Sequence, residues 1–78
     1  MLAVQVKRRT YFTDVFPEDK GNNKGGYYGE VYNDMDGKDK IDVFTIDKRN
    51  FPPSMTNDSQ KRAKALRYAK EYIERVFK

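Results

Sequence analysis

The spacing of the apolar residues changes once along this 78-residue chain, at the Pro52-Pro53 pair. Before the prolines, apolar and polar residues largely alternate, which is the period of a half-buried β-strand. After them, apolar residues recur every three or four positions, which is the period of an amphipathic helix. Because proline fixes the backbone, the helix can begin only beyond this pair. The sequence therefore predicts several strands followed by one helix.

Three segments have the composition and period of strands: residues 2–16, 26–33 and 40–47. The first changes phase within residues 9–13, which predicts a bulge or bend there. Residues 18–26, rich in Gly and Asn, predict an exposed and mobile loop. Gly29 predicts a close backbone approach or a bulge. The Asp36-Gly37 turn predicts that the second and third strands pair as an antiparallel hairpin.

The helix is predicted over residues 57–77. Asn57, Asp58 or Ser59 can cap its N-terminus, and Gln60 follows Asn57 at capping-box spacing. One broad helix face is apolar and carries Ala65, Leu66, Ala69, Tyr72, Ile73, Val76 and Phe77. We therefore predict an α+β fold, in which a small three-stranded antiparallel sheet packs one face against a C-terminal helix within a single domain, residues 1–78. The other sheet face is predicted to be open to water or to a partner.

Several classes of function are excluded by composition. The chain has no Cys and no His, which excludes disulfides, thiolate metal sites and imidazole catalysis. Its only serines are Ser54 and Ser59, and a shielded cleft is not expected in so small a domain, so we expect no enzyme, no catalytic residue and no cofactor. The acidic turn of residues 34–42 lacks the ligand spacing of an EF-hand, so we expect no metal site.

The N-terminus meets charge too soon for a signal peptide, and no stretch approaches the roughly 20 apolar residues of a membrane span. Together with the absence of Cys, these features predict a cytoplasmic protein with no membrane contact.

The net charge of +4 is unevenly distributed along the chain. Residues 14–47 hold nine acids and four bases, whereas residues 48–78 hold nine bases and three acids. From Ser59 to Lys70 there are five bases and no acid. Because the N-terminal end of a helix is already electropositive, cations there are unfavourable, and an anionic partner would relieve that cost.

Two basic groups are candidate nucleic-acid contacts: Lys7, Arg8 and Arg9 near the N-terminus, and Lys61, Lys64 and Arg67 on the helix. The helical group could lie along a phosphate backbone, or it could be an ordinary solvated face. In the first group, Lys7 and Arg9 share a strand face with Tyr11, which on the open sheet face would give a basic and aromatic surface. The alternative role of that group is protection of a sheet edge by charge.

The tyrosines of the second strand are candidate partner-binding residues. Tyr28 and Tyr32 share one face of that strand, and tyrosine is favoured at interfaces because it joins an apolar ring to a polar tip. The alternative is that these rings belong to the core.

Two parts of the chain together resemble a known family of DNA-binding domains. The parts are the stretch Gly26-Tyr27-Tyr28-Gly29-Glu30-Val31-Tyr32 with the Asp36-Gly37-Lys38 turn and the next strand, and the helix with Ala65, Ala69, Tyr72 and Ile73. Over residues 26–75 they resemble the three-stranded-sheet-plus-helix domains at the N-termini of phage and transposon integrases, an arrangement shared by plant AP2-type domains. The resemblance implies a sheet that enters the major groove of DNA.

The strands of this chain depart from that family in their charge. Members carry Arg and Lys on the DNA-facing strands, whereas Glu30, Asp39 and Asp42 stand here. Because carboxylates repel phosphate, we expect any DNA contact to come from residues 7–9 and the helix.

Two functions are therefore predicted. The first is a small, basic, non-enzymatic protein that binds nucleic acid through the phosphate backbone. The alternative is a protein-binding inhibitor or adaptor, such as a phage-encoded accessory protein acting on host machinery, which would use the tyrosines and the unpaired sheet edge. Self-association into a homodimer is a third role that the sequence leaves open.

Overall fold

Four antiparallel strands form one sheet in chain order, and a single helix follows them. The computed structural model describes all residues, 1–78. Its elements are β1 (Leu2–Val6), β2 (Arg9–Pro17), β3 (Tyr27–Tyr32), β4 (Lys40–Ile46) and α1 (Asp58–Val76), with a single 3₁₀ turn (Lys48–Asn50) between β4 and α1. The α+β class and the antiparallel sheet with a C-terminal helix are confirmed, but the sheet has four strands rather than three.

The predicted first strand, residues 2–16, is wrong because the chain reverses direction within it. Val6 pairs with Arg9, so Lys7 and Arg8 form a two-residue hairpin turn between β1 and β2. Lys7 has a φ of 56°, a conformation that such turns usually assign to glycine. The sequence therefore has no typical turn residue where the chain reverses direction. The change of phase in the apolar pattern, from which a bulge was predicted, is caused by this hairpin.

The helix packs against one face of the sheet through a stripe of small side chains. Ala65, Ala69 and Ile73 are fully buried, and they meet the core-facing side of the sheet, where Val15 and Val31 are also fully buried. Alanine at two of these three helix positions allows the helix backbone to lie close to the strands.

The N-terminus of α1 begins as the sequence predicts. The Asn57 side-chain oxygen accepts the backbone N–H of Gln60 at 3.1 Å, which satisfies one of the free amides at the helix start. Of the three candidate caps, Asn57, Asp58 and Ser59, the structure therefore selects Asn57. No helix in this structure combines the length and apolar character needed to cross a membrane.

Gly29 lies under an aromatic side chain, whereas the sequence predicts a close backbone approach or a bulge at this position. The Phe44 ring of β4 covers Gly29, and a Cβ there would overlap the ring. On its other side, Phe44 stacks on the Tyr72 ring of α1, with centroids 4.2 Å apart and planes inclined by 18°. The Tyr72 hydroxyl donates to Asp42, which holds this three-layer stack at the β4 side of the core.

Two of the uncovered stretches of sheet edge, on β4 and at the end of β2, carry an aspartate that binds a backbone amide of its own strand; the third, the outer edge of β1, has none. On β4, the Asp42 carboxylate accepts the N–H of Val43 at 2.9 Å. On the part of β2 that β1 does not cover, Asp14 accepts the N–H of Val15 at 2.9 Å. Arg62 of α1 reaches around this edge, donates to the Val15 carbonyl at 3.0 Å and pairs with Asp14. The Val15 and Val43 amides are therefore already paired and unavailable to another strand.

The sheet face turned away from α1, here called the open face, carries a second set of large side chains. Strand alternation and pairing place on it Phe12, Asp14, Phe16, Tyr28, Glu30, Tyr32, Val43 and Thr45. Val43 is 51% exposed, and Phe16 and Tyr28 are half-buried with ring centroids 5.2 Å apart. The open face is therefore partly apolar and has no helix over it.

Candidate nucleic-acid interface

Cations from three separate segments meet around one groove beside the start of α1. The groove has a volume of about 720 Å³, and its basic residues are Lys24, Lys48, Arg49 and Lys61. Phe51, Pro52, Pro53 and Met55 form its apolar part. No acidic residue lines it. We call this site the cationic groove.

A single asparagine joins two of the segments that form the cationic groove. The Asn23 side-chain amide donates to the Ile46 carbonyl at 3.1 Å, and its oxygen accepts the N–H of Lys48 at 2.9 Å. Gly26 lies against this bridge, because a Cβ there would stand 2.6 Å from the Ile46 carbonyl oxygen. The bridge brings Lys24 from the β2–β3 loop to the segment that follows β4.

The apolar part of the groove is fixed against the helix. The buried Phe51 ring packs against Tyr27, with centroids 4.9 Å apart. Lys64 donates to the Asn50 carbonyl, and the Tyr68 hydroxyl donates to the Asn50 side chain at 2.7 Å. These contacts hold the backbone immediately before the two prolines in one position.

The groove adjoins an acidic depression, but only one of its four basic residues is paired with a carboxylate. Arg49 pairs with Asp47 at 3.2 Å, and hydrogen bonds from the Arg49 backbone and side chain keep the pKa of Asp47 below its usual value. Lys24, Lys48 and Lys61 form no ion pair with a carboxylate. Three of the four cations are thus free to meet an anion.

The helical residues predicted as contacts lie in or beside the groove. Lys61 lines it. Lys64 is next to it, with its ammonium group 5.8 Å from the centroid of the Phe51 ring, and is engaged with Asn50. Arg67 is exposed farther along α1. Sequence reasoning missed Lys24, Lys48 and Arg49, whose only signal was their charge.

The other predicted basic group, Lys7, Arg8 and Arg9, lies at the opposite end of the molecule. Lys7 and Arg8 form the β1–β2 turn, while Arg9 lies over the Tyr11 ring at 4.9 Å and donates to Asn33. Tyr11 itself is buried and packs against Phe77 near the end of α1, so this pair is on the helix side of the sheet and not on the open face. Arg9 lies six residue steps along β2 from Val15, which Arg62 of α1 contacts, a distance of about 20 Å. The structure therefore does not join the two basic groups into one site.

The two candidate tyrosines differ in accessibility. Tyr28 is half-buried on the open face. Tyr32 is only 7% exposed, and its hydroxyl donates to Glu30, which also accepts Lys40 at 3.0 Å. Of the two, Tyr28 is the one that a partner on the open face can reach.

The acidic turn accepts hydrogen bonds from its own backbone N–H groups. Asp34 accepts the N–H groups of Lys38 and Asp39 at 3.0 and 2.9 Å, and these bonds keep the pKa of its carboxyl group below the usual value. Asn33 in turn donates to the Asp39 carboxylate at 2.7 Å. The carboxylate of Asp34 is thus committed to closing the turn.

The buried hydroxyl of Tyr32 predicts a loss of stability at high pH. Burial, followed by the hydrogen bond to Glu30, raises the pKa of Tyr32 from 10.0 to about 12. The pKa values of Tyr72, through its bond to Asp42, and of Tyr27, through burial, are raised as well. Because the folded pKa exceeds the unfolded one, this contribution is complete below pH 10 and is lost as the pH rises toward 12.

We expect the Tyr32 contribution to the free energy of unfolding to fall by about 2 kcal/mol over that interval. Urea titrations at several pH values between 9 and 12, followed by circular dichroism, measure the decline. Tyr32→Phe should make the decline shallower. A variant with the same decline as the parent would show that Tyr32 does not keep its proton in the folded state.

The arrangement of the cationic groove suits the binding of an anion that also carries an apolar or aromatic group. Cations surround the opening, and the wall formed by Phe51, Pro52, Pro53 and Met55 offers apolar surface. No protein-family model, no curated protein and no solved structure matches this chain.

Proposed function

We propose that the protein binds nucleic acid through its phosphate backbone, with the cationic groove at the centre of the contact. The observation that carries the proposal is the convergence of Lys24, Lys48 and Lys61 on one groove with no carboxylate partner. Lysines that neutralise phosphates release condensed counterions, which gives an affinity that depends on salt. An anion in the groove would also offset the cost of placing Lys61 in the first turn of α1.

Lys64 and Arg67 extend the proposed contact along α1, as the sequence predicts. The proposal leaves out Lys7, Arg8 and Arg9, because they lie at the far end of the sheet and Arg9 is bound to Asn33. It shares with the integrase-type resemblance only the general arrangement of sheet and helix. The contact would use the helix start and adjoining loops, whereas that family uses the sheet.

The proposal is tested by fluorescence-anisotropy titration of labelled oligonucleotides, single- and double-stranded, at 50 and 200 mM salt. We expect binding that weakens steeply between these salt concentrations. Lys24→Glu and Lys61→Glu should each weaken binding by about tenfold and reduce the salt slope by about one.

Arg8→Glu is the matched control, since it changes the net charge by the same amount at an exposed site remote from the groove. It should leave the affinity nearly unchanged. Equal losses for Arg8→Glu and Lys61→Glu would mean that binding follows net charge alone, and no binding at 50 mM salt would refute the proposed function.

A second candidate function, protein binding, is favoured by the open face. Val43 is 51% exposed and lies two residues from Thr45, the strand partner of Tyr28, and exposed apolar groups on an uncovered sheet face are typical of interaction surfaces. Because Asp42 occupies the Val43 amide, strand addition at β4 is disfavoured, and a partner would dock on the open face.

This candidate is tested by affinity capture from a nuclease-treated host lysate. The parent chain and Lys61→Glu should retain the same protein, and Val43→Lys should lose it. Equal capture by Val43→Lys would remove the open face from consideration.

A further inference from the structure

We propose that the cationic groove accommodates an unpaired base, so that the nucleic acid bound by this protein is single-stranded. This inference rests on the proposed function and specifies its substrate. It starts from the apolar wall of the groove, Phe51, Pro52, Pro53 and Met55, which binding to phosphates alone does not explain.

The backbone of a duplex presents no base face that could fill an apolar concavity. In a duplex, the bases are stacked on one another and present only their edges in the grooves, while the outer surface is sugar and phosphate. A single strand has exposed base faces, and proteins that bind it combine a cationic track with apolar or aromatic surface for those faces. The cationic groove has both components within one site.

The size of the site agrees with one nucleotide entering it. A volume of about 720 Å³ lies within the range of pockets that enclose small organic ligands.

The apolar wall is formed before any ligand arrives. The two prolines restrict their own backbone, and the Met55 N–H donates to the Pro52 carbonyl at 2.8 Å to close a turn. Phe51 is buried against Tyr27, and Asn50 is bound to Lys64 and Tyr68. A surface that needs no ordering on binding keeps more of the contact free energy as affinity.

A neighbouring depression limits where the strand can run. It shares Lys24 and Lys61 with the cationic groove, but its other residues include Glu18, Asp19 and Asp58. These carboxylates repel phosphate, so the backbone is confined to the side of Lys24 and Lys61 that faces Lys48 and Arg49. The same two lysines are therefore expected to contact the phosphates that flank the inserted base.

The test compares three labelled oligonucleotides of equal length at 100 mM salt: a single strand, its duplex, and a single strand with a run of abasic sites. The abasic strand keeps every phosphate and lacks bases. We expect the intact single strand to bind about tenfold more tightly than either of the other two, as burial of one base against the apolar wall is sufficient to produce. This comparison uses the parent chain and requires no variant.

Met55→Lys then locates the base. It adds a positive charge to the groove, so binding through phosphates alone would strengthen, whereas loss of the apolar wall should lower the preference for the intact single strand about fivefold. Met35→Lys is the matched control, because Met35 is 71% exposed in the β3–β4 turn and the chemical change is the same. It should leave the preference unchanged.

The possible results distinguish failure of the single-strand inference from failure of the proposed function. Equal binding of single strand and duplex, with sensitivity to Lys61→Glu retained, would overturn the single-strand inference and leave the proposed function standing. A single-strand preference that Met55→Lys does not reduce would also overturn it, because the base would then lie elsewhere. No binding to any of the three would refute both.

Discussion

Replacing Gly29 with valine is expected to destabilise the fold by about 3 kcal/mol, which is most of the stability of a domain this small. The new side chain would occupy the space of the Phe44 ring. Phe44 cannot simply move away, because Tyr72 stacks on it at 4.2 Å and is itself bound to Asp42. The β3 backbone cannot retreat either, because it is paired with β2 on one side and β4 on the other.

The sign of this change in stability distinguishes an obstructed strand position from an ordinary one. At an ordinary strand position, glycine to valine favours the strand, since valine has the higher β-propensity. Urea denaturation followed by circular dichroism measures the change. In a Phe44→Ala background the ring is absent, and Gly29→Val should cost about 2 kcal/mol less than in the parent. The same cost in both backgrounds would mean that the ring is not the obstacle.

The second large effect is expected for Ile73→Ala, at about 3 kcal/mol of destabilisation. Ile73 is completely buried, and the other fully buried positions of α1 are already alanine. No large helical neighbour on this stripe can fill the space, so a cavity would remain between the helix and the sheet. Helix propensity favours alanine slightly, and the loss therefore reports on packing.

Val76→Ala is the control for this substitution, since it also truncates a β-branched residue of α1 but at a site that is 49% exposed. It should change the free energy of unfolding by less than about 0.5 kcal/mol. Similar losses for the two variants would show that the helix does not pack through the Ile73 stripe.

The parts of the fold that could be predicted from the sequence are those with a local chemical signal. Asn57 has the side chain that caps a helix. Gly29 indicates a close approach to the strand, although the group that lies there is an aromatic ring and not the predicted backbone. The β1–β2 turn has no such signal, because Lys7 takes a left-handed conformation that lysine rarely adopts. One unmarked reversal was enough to change the strand count from three to four.

The candidate site was less predictable, because it depends on contacts between distant segments. Lys61 stands in a run of bases that the helix pattern exposes, so it was identified. Lys24 and Lys48 become neighbours only through the Asn23 bridge, which joins residues more than twenty positions apart. Conversely, Arg9 belongs to a basic run but is turned toward Tyr11 and Asn33 by the hairpin.

The aspartates at the sheet edges have a consequence for the chain at high concentration. An open sheet grows into fibrils when a second molecule adds its strand to unpaired amides. Asp14 and Asp42 each bind the amide of the following valine, on the exposed end of β2 and on β4. These two positions therefore meet a neighbouring molecule with a negative charge and an occupied donor, whereas the outer edge of β1 has an apolar sequence and no aspartate. In crowded solutions, strand addition between copies is therefore expected at β1 and is disfavoured at β4.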